Sequence, residues 1–389
     1  MKLLKELEKN LGYYFSGQVG VPLSKPHWIF VSLTHRCNYS CQMCGVSKIL
    51  REHELELGLL QKVFKEVAQW DSDPVMVFTG GEPFLREDIF EIIACAVSLG
   101  IRLELVSNGS QIKDRGIARK IIRSGLSNIA VSLDGASAGV HDAIRGVPGA
   151  FEAALEALSL LSEEKRSYPA GPQISVWTTI MKENVGELSG IIPVTRARGV
   201  ECLVYHPVIV TQDDMQNTIK SGHFWVTDEY LPRLKQEIEK IAEYRKNEGY
   251  VAFLHDPFLW LRYFQWDLTK KDWKCNPYVF IDIGPDAFVR SCGPAFGNVK
   301  EMTLSECLET KEAKRARERM LRCNRPCLQT CWGRPEADDL EGIVRNFRKE
   351  AGSLRLEKGR EKDLLNEGIA LLSRYEAMIR KESKKWKRD

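Results

Sequence analysis

The chain has 389 residues, 43% hydrophobic and 28% charged, a balance that excludes a disordered protein and allows one large domain with a smaller companion. Its 56 Lys and Arg against 53 Asp and Glu leave a net charge of +3, with no long basic run interleaved with aromatics, so nucleic acid is not expected as a partner. No stretch approaches the roughly 20 apolar residues that span a bilayer, and Lys5, Glu6, Glu8 and Lys9 break up any signal-peptide core, so the chain reads as cytoplasmic with no membrane partner.

Residues 1–26 form an N-terminal extension too short for a folded module. From residue 27, apolar runs of strand length alternate with amphipathic stretches. Six strands are expected, at 27–34, 74–80, 101–108, 128–135, 173–181 and 202–210. Helices are expected at 55–70, 86–100, 111–125, 149–165 and 184–199, several ending at a Gly that can take the left-handed cap conformation. Repeated βα units predict an α/β fold around a parallel sheet, either a partial (β/α)6 TIM-type barrel over 27–215 or an open doubly wound sheet. Both place ligands beyond the carboxyl ends of the strands.

The unusual residues collect at those ends. Cys37, Cys41 and Cys44 follow the first strand, Gly80-Gly81-Glu82-Pro83 the second, and Asn108 ends the third. Ser132 and Asp134 end the fourth, and Tyr205 and His206 lie in the sixth. One polar residue at a strand end is ordinary turn chemistry. Five groups around one rim point to a site.

Residues 216–270 read as a helical linker containing a long charged helix at 230–247. The segment 271–335 carries a hairpin turning at Gly284-Pro285-Asp286, a helix at 304–320 and five cysteines: Cys275, Cys292, Cys323, Cys327 and Cys331. The remainder, 336–389, reads as an amphipathic helical extension.

Eleven cysteines in a cytoplasmic chain point to metal or redox chemistry before disulfides. Thiolates this close bind zinc or iron–sulfur clusters, and a structural zinc site needs a fourth ligand, for which His35 and His53 are the candidates near Cys44. Three cysteines alone suggest a cluster with one iron open to a small molecule.

The pattern C-x3-C-x2-C after the first strand, GGEP after the second, then "SLDG" and "HDAIRG" (141–146), resembles the radical S-adenosylmethionine (SAM) superfamily over roughly residues 27–210. The resemblance implies a 4Fe-4S cluster on Cys37, Cys41 and Cys44, with SAM chelating the open iron and cleaved by one electron to a 5′-deoxyadenosyl radical. It also implies cofactor-binding roles for Met43, Gly80, Gly81, Glu82, Asn108, Ser132, Asp134 and Arg145. Met43 stands where the family often has an aromatic residue. The two glycines would let the backbone approach the ligand, and Glu82 would meet the SAM amino group.

The second cysteine set, with its hairpin and helix, resembles the SPASM or twitch auxiliary-cluster domain. That resemblance implies one auxiliary 4Fe-4S cluster on Cys275, Cys292 and two of Cys323, Cys327 and Cys331, with zinc as the competing occupant. Cys95, Cys202 and Cys307 stand apart from both sets. His206 and Tyr205 are the candidates for deprotonating or orienting a substrate, because one of two adjacent strand residues faces inward.

These features lead to an enzyme that removes a hydrogen atom from a small polar metabolite, in an oxidation, rearrangement or epimerisation, with a one-electron donor such as flavodoxin or ferredoxin as partner. The competing expectations are a peptide-modifying maturase and a non-catalytic iron–sulfur electron carrier.

Overall fold

The structure is a computed structural model that describes residues 2–46, 49, 53–209, 224–248, 250–252, 256–269, 272, 275–323, 328, 339–353 and 360–386. A helix, α1 (Lys2–Val19), leads into six strands that fall on the expected runs. They are β1 (Trp28–Ser32), β2 (Val75–Thr79), β3 (Arg102–Ser107), β4 (Asn128–Ser132), β5 (Gln173–Ile180) and β6 (Cys202–Pro207). Each pairs in parallel with the next.

The crossovers are α2 (Leu57–Val67), α3 (Ile89–Ser98), α4 (Arg115–Ile122), α5 (Ala138–Arg145) with α6 (Ala150–Ser167), and α7 (Ile191–Arg196). Gly100, Gly125 and Gly199, just beyond α3, α4 and α7, take φ of +77°, +84° and +69°, the left-handed geometry expected where these helices stop. α5 was not among the expected helices. Ser137 caps it by accepting from the Val140 amide, and Gly146, at φ +69°, ends it.

Strand alternation separates two faces. Ile29, Val31, Met76, Phe78, Leu103, Leu105, Ile129 and Val131 are fully buried beneath the helices. A parallel sheet sealed on both faces would read as apolar throughout. Here the opposite, inner face keeps Ser32, Thr79, Glu104, Ser132, Trp177 and His206 only half-buried. The register puts these residues on one surface: Ser32 lies opposite Thr79, Ser132 opposite Trp177, and Thr179 opposite His206.

Beyond residue 223 come α8 (Leu231–Glu248), β7 (Val251–Ala252), α9 (Leu259–Phe264), β8 (Phe280–Ile283), β9 (Phe288–Arg290) and β10 (Gly297–Asn298). β7 extends the sheet beside β6. The hairpin strand β8 pairs in parallel with β1, Phe30 opposite Asp282, and β9 and β10 follow antiparallel. The order is therefore β10-β9-β8-β1-β2-β3-β4-β5-β6-β7, an open sheet with β7 and β10 at its ends.

The helix expected at 304–320 is two helices, α10 (Leu304–Glu309) and α11 (Lys311–Arg322). Thr310, extended at ψ 157°, separates them: its hydroxyl accepts from the Ala313 amide and donates to the Phe296 carbonyl. The last helices, α12 (Leu340–Ser353) and α13 (Arg360–Trp386), clasp α1 through Leu7, Leu11, Phe15, Ile343, Phe347 and Tyr375. Phe15 and Tyr375 stack at 5.6 Å. Among the described residues, no helix is long and apolar enough to cross a membrane.

Candidate active site at the strand ends

The loop carrying Cys37, Cys41 and Cys44 is fastened from three sides, and the fasteners are the other motifs. From β2, the Gly81 amide donates to the Thr34 carbonyl at 2.7 Å and the Glu82 amide to the Arg36 carbonyl at 2.8 Å. A Cβ on Gly81 would lie 2.0 Å from the Arg36 oxygen, and one on Gly80, at φ +136°, 2.6 Å from the Thr34 oxygen. The room these glycines leave is filled by the cysteine loop's own backbone.

From β3, the Asn108 side chain donates to Asn38 Oδ1 at 3.0 Å, and Asn38 Nδ2 donates to Ser110 Oγ at 2.8 Å. Asn108 Oδ1 accepts from the Ser110 amide, so its side chain serves the loop. From α5, last-turn carbonyls receive the loop's amides: Ser40 N donates to Arg145 O at 3.2 Å and Gln42 N to Ile144 O at 2.9 Å. These are orphan acceptors of a helix C-terminus put to use.

Glu82 is fully buried. Its Oε1 accepts from Ser107 Oγ at 2.8 Å and the Phe84 amide at 3.1 Å, and its Oε2 from the Asn108 amide at 2.7 Å. Burial pushes this carboxyl up to about 7 against the pull of those donors.

Asp134 and Arg145, expected to contact SAM separately, are paired with each other: Oδ2 and Nη2 are 2.7 Å apart, Asp134 is sealed and Arg145 nearly so. Asp134 Oδ1 also accepts from the Thr179 amide, and the Asp134 amide donates to His141 Nδ1 at 2.9 Å. Arg145 Nη1 reaches Cys41 Sγ at 3.8 Å. Burial raises the Cys41 thiol, and Arg145 opposes that rise. Burial likewise raises Cys37, with charge on Glu82, Cys41 and Cys44 adding to it.

The three thiols are thus within electrostatic reach of one another beside one fixed cation. Among the described residues no three His, Cys, Asp or Glu side chains converge as a ready-made metal site. The backbone gathers the donors while their side chains stay apart. Burial favours the neutral thiol form at Cys37 and Cys41, and ligation to a cluster would deprotonate the three and draw them together. Neither histidine joins them, for His35 Nδ1 accepts from the His53 amide and the two rings pack edge to face at 5.8 Å. Met43 packs against the main core, and Ser132 opens onto the inner face.

Of the two sixth-strand candidates, only His206 faces inward. Its Nε2 shares a hydrogen bond with Thr179 Oγ1 at 3.0 Å, and burial, aided by the Arg145 charge, lowers its pKa to about 4, keeping it neutral. Tyr205 points the other way: its hydroxyl donates to the Leu188 carbonyl at 2.5 Å beneath the helices. That corrects its candidacy, and strand alternation is the reason.

In the second set, Cys275 and Cys323 are half-buried and Cys292 is exposed, its carbonyl accepting from Arg319 Nη2 at 3.1 Å. Cys327 and Cys331 lie outside the described residues. Cys307 is sealed in the core, burial raising its thiol to about 11, and Cys95 packs on the core edge. Cys202 sits on the inner face, where burial and then the Glu104 charge raise its thiol.

The sequence model of the radical SAM superfamily matches residues 31–182, the stretch from the middle of β1 through the rim after β5. This stretch is a radical SAM domain. The chain is 34% identical over 158 residues to an AdoMet-dependent heme synthase of Oleidesulfovibrio alaskensis, covering 39% of this chain and 38% of that one. It is 33% identical over 180 residues to an Fe-coproporphyrin III synthase of Methanosarcina barkeri, covering 46% and 43%. It spans half or less of the length of these curated relatives.

Among solved structures, Streptococcus suis SuiB bound to S-adenosylmethionine has a TM-score of 0.58 at 13% identity, covering 84% of this chain and 80% of that one. Native anSMEcpe with bound AdoMet and Cp18Cys peptide has a TM-score of 0.58 at 15% identity, covering 91% of this chain and 99% of that one. At such identities the likeness is one of fold, and it extends beyond the radical SAM domain.

Sequence reasoning missed Trp177, Thr179 and Asp282 on the inner face. The signal that finds them is the two-residue period counted outward from His206 and Ser32 through the sheet register.

Proposed function

We propose that the chain is a radical SAM enzyme that abstracts a hydrogen atom from a small polar metabolite, leading to oxidation, rearrangement or epimerisation. The observation that carries the reading is the C-x3-C-x2-C loop fastened by the GGEP backbone, the Asn108 turn and the end of α5. Cys37, Cys41 and Cys44 would hold a 4Fe-4S cluster, which would supply the electron for reductive cleavage of SAM.

The chain's residues do the positioning. Arg145, anchored by Asp134, offsets thiolate charge at Cys41. Glu82 braces the third strand's turn against the second's, keeping the cysteine loop in place. Met43, Ser132 and the Gly80–Glu82 edge border the space assigned to SAM, and neutral His206 orients a substrate group on the inner face. Cys275, Cys292 and two of Cys323, Cys327 and Cys331 are assigned to an auxiliary 4Fe-4S cluster, with a flavodoxin or ferredoxin as electron donor. A second reading, a peptide maturase, draws on the fold shared with SuiB, one solved form of which is bound to its precursor peptide SuiA.

The test is iron and sulfide content together with 5′-deoxyadenosine formation on anaerobically reconstituted protein. Wild type should hold about eight irons, falling to about four in Cys37→Ala/Cys41→Ala/Cys44→Ala and in Cys275→Ala/Cys292→Ala. SAM cleavage should vanish only in the first variant. Cleavage surviving there would overturn the assignment, and cleavage by wild type excludes a mere electron carrier.

A further inference from the structure

Resting on the reading just given, we propose that Asp282, with Ser32 beside it, is the acceptor that takes a hydroxyl or ammonium group of the substrate on the inner face of the sheet.

Asp282 comes from β8, far along the chain from the motifs, yet β8 lies against β1 with Asp282 opposite Phe30. Alternation turns it to the face that carries Ser32 and His206. Its neighbours Ile281 and Ile283 point the other way and are 1% exposed, whereas Asp282 is only half-buried. Burial raises the Asp282 carboxyl to about 6, which leaves it largely anionic at neutral pH. Its cross-strand partner Arg290 hydrogen-bonds Asp286, at 3.0 and 2.6 Å, while its charge still pulls the Asp282 carboxyl down. Ser32, whose hydroxyl shares a hydrogen bond with Thr79 Oγ1 at 3.3 Å, lies on the same face and helps hold the Asp282 carboxyl down.

The rest of the inner face explains why the partner is a donor. Hydroxyls of Thr79 and Thr179, neutral His206 and the Glu104 carboxylate line it, and the only cation on the inner-face positions of β1–β6 is Arg102, exposed at the strand's beginning. At the rim, Arg145 is taken by Asp134 and Cys41. A carboxylate-rich molecule such as a heme precursor would meet acceptors and like charge there, and the cations Arg290 and Arg145 are already held by Asp286 and by Asp134 with Cys41. A polyol, aminosugar or amine would find acceptors.

The probes are D-glucosamine and D-gluconate, both hydroxyl-rich and opposite in charge, titrated calorimetrically into anaerobically reconstituted protein without reductant. Wild type should prefer the aminosugar by about tenfold or more, the scale of one charge-assisted hydrogen bond. Asp282→Asn should bring the preference below about threefold, and Ser32→Ala, which keeps the charge, should weaken aminosugar binding without reversing the order. Circular dichroism checks that each variant is folded, and Ser32→Ala still tests the site if Asp282→Asn is not. A Gly-Ser-Lys tripeptide titrated alongside separates a peptide source of the same chemistry from a metabolite. A wild-type preference for gluconate, no saturable binding of any probe, or an unchanged preference in folded Asp282→Asn overturns the assignment. Because binding is read without turnover, 5′-deoxyadenosine formation after dithionite is added to the same preparation independently tells whether the radical SAM reading stands.

Discussion

The guanidinium of Arg145 lies 2.7 Å from Asp134 and 3.8 Å from the sulfur of Cys41, so one buried cation serves both the fourth strand's end and the cysteine loop. The pair is part of the loop's scaffold, and its cost is already offset within the chain. Removing one partner leaves a charge sealed from water.

Arg145→Met should therefore destabilise the cluster-free protein by about 3–5 kcal/mol, and Asp134→Asn/Arg145→Met should recover a good part of that loss. Urea melts of the four proteins of this cycle check it. Equal stability of wild type and Arg145→Met would show that the pair is no anchor.

Gly81→Ala should be more damaging than Gly58→Ala, which has open space around its Cβ. At Gly81 the methyl group meets the Arg36 carbonyl at 2.0 Å, and backbone must move. The expected readout is iron per chain after reconstitution, sharply reduced in Gly81→Ala and retained in Gly58→Ala.

His141 is sealed, with Nδ1 accepting from the Asp134 amide, and burial lowers its pKa from 6.5 to about 3. The unfolded chain thus binds the proton more readily, and stability is full above pH 6.5 and lost as pH falls toward 3. Between pH 7.5 and 5, cluster-free wild type should lose about 2 kcal/mol more than His141→Asn, from the populations these two pKa values imply. Parallel loss in both proteins would show that His141 does not titrate as stated.

Tyr205→Phe should cost about 1–3 kcal/mol, because the Leu188 carbonyl loses its donor beneath the helices. SAM cleavage should stay at the wild-type level. His206→Gln, altering the inner face, should change substrate turnover while leaving stability within about 1 kcal/mol.

Much of this was readable in the sequence because local rules agree with the tertiary outcome. The six core strands lie within the apolar runs, and Gly100, Gly125 and Gly199 stop helices as their freedom at positive φ suggests. The rim motifs were legible by spacing. What they touch was not: Asp134, Arg145, Asn108 and Glu82 look like ligand contacts along the chain, and only folding shows them bonded to one another and to the loop. Asp282 stayed hidden because nothing local ties residue 282 to residue 30. Tyr205 and His206 were indistinguishable until the register fixed which face is sealed.

The strand that delivers the cysteine loop has one neighbour close in sequence, β2, and one some 250 residues away, β8. During synthesis β1 therefore waits as an open edge until residues 280–283 have emerged, although its cysteines and glycines were made long before. The helix ahead of it waits longer still, since its apolar face is covered by α12 and α13. The contacts that fasten the cysteine loop all come from residues before 146, so a chain interrupted before β8 would hold its thiols in place on a strand still open along one edge, with that edge exposed to aggregation.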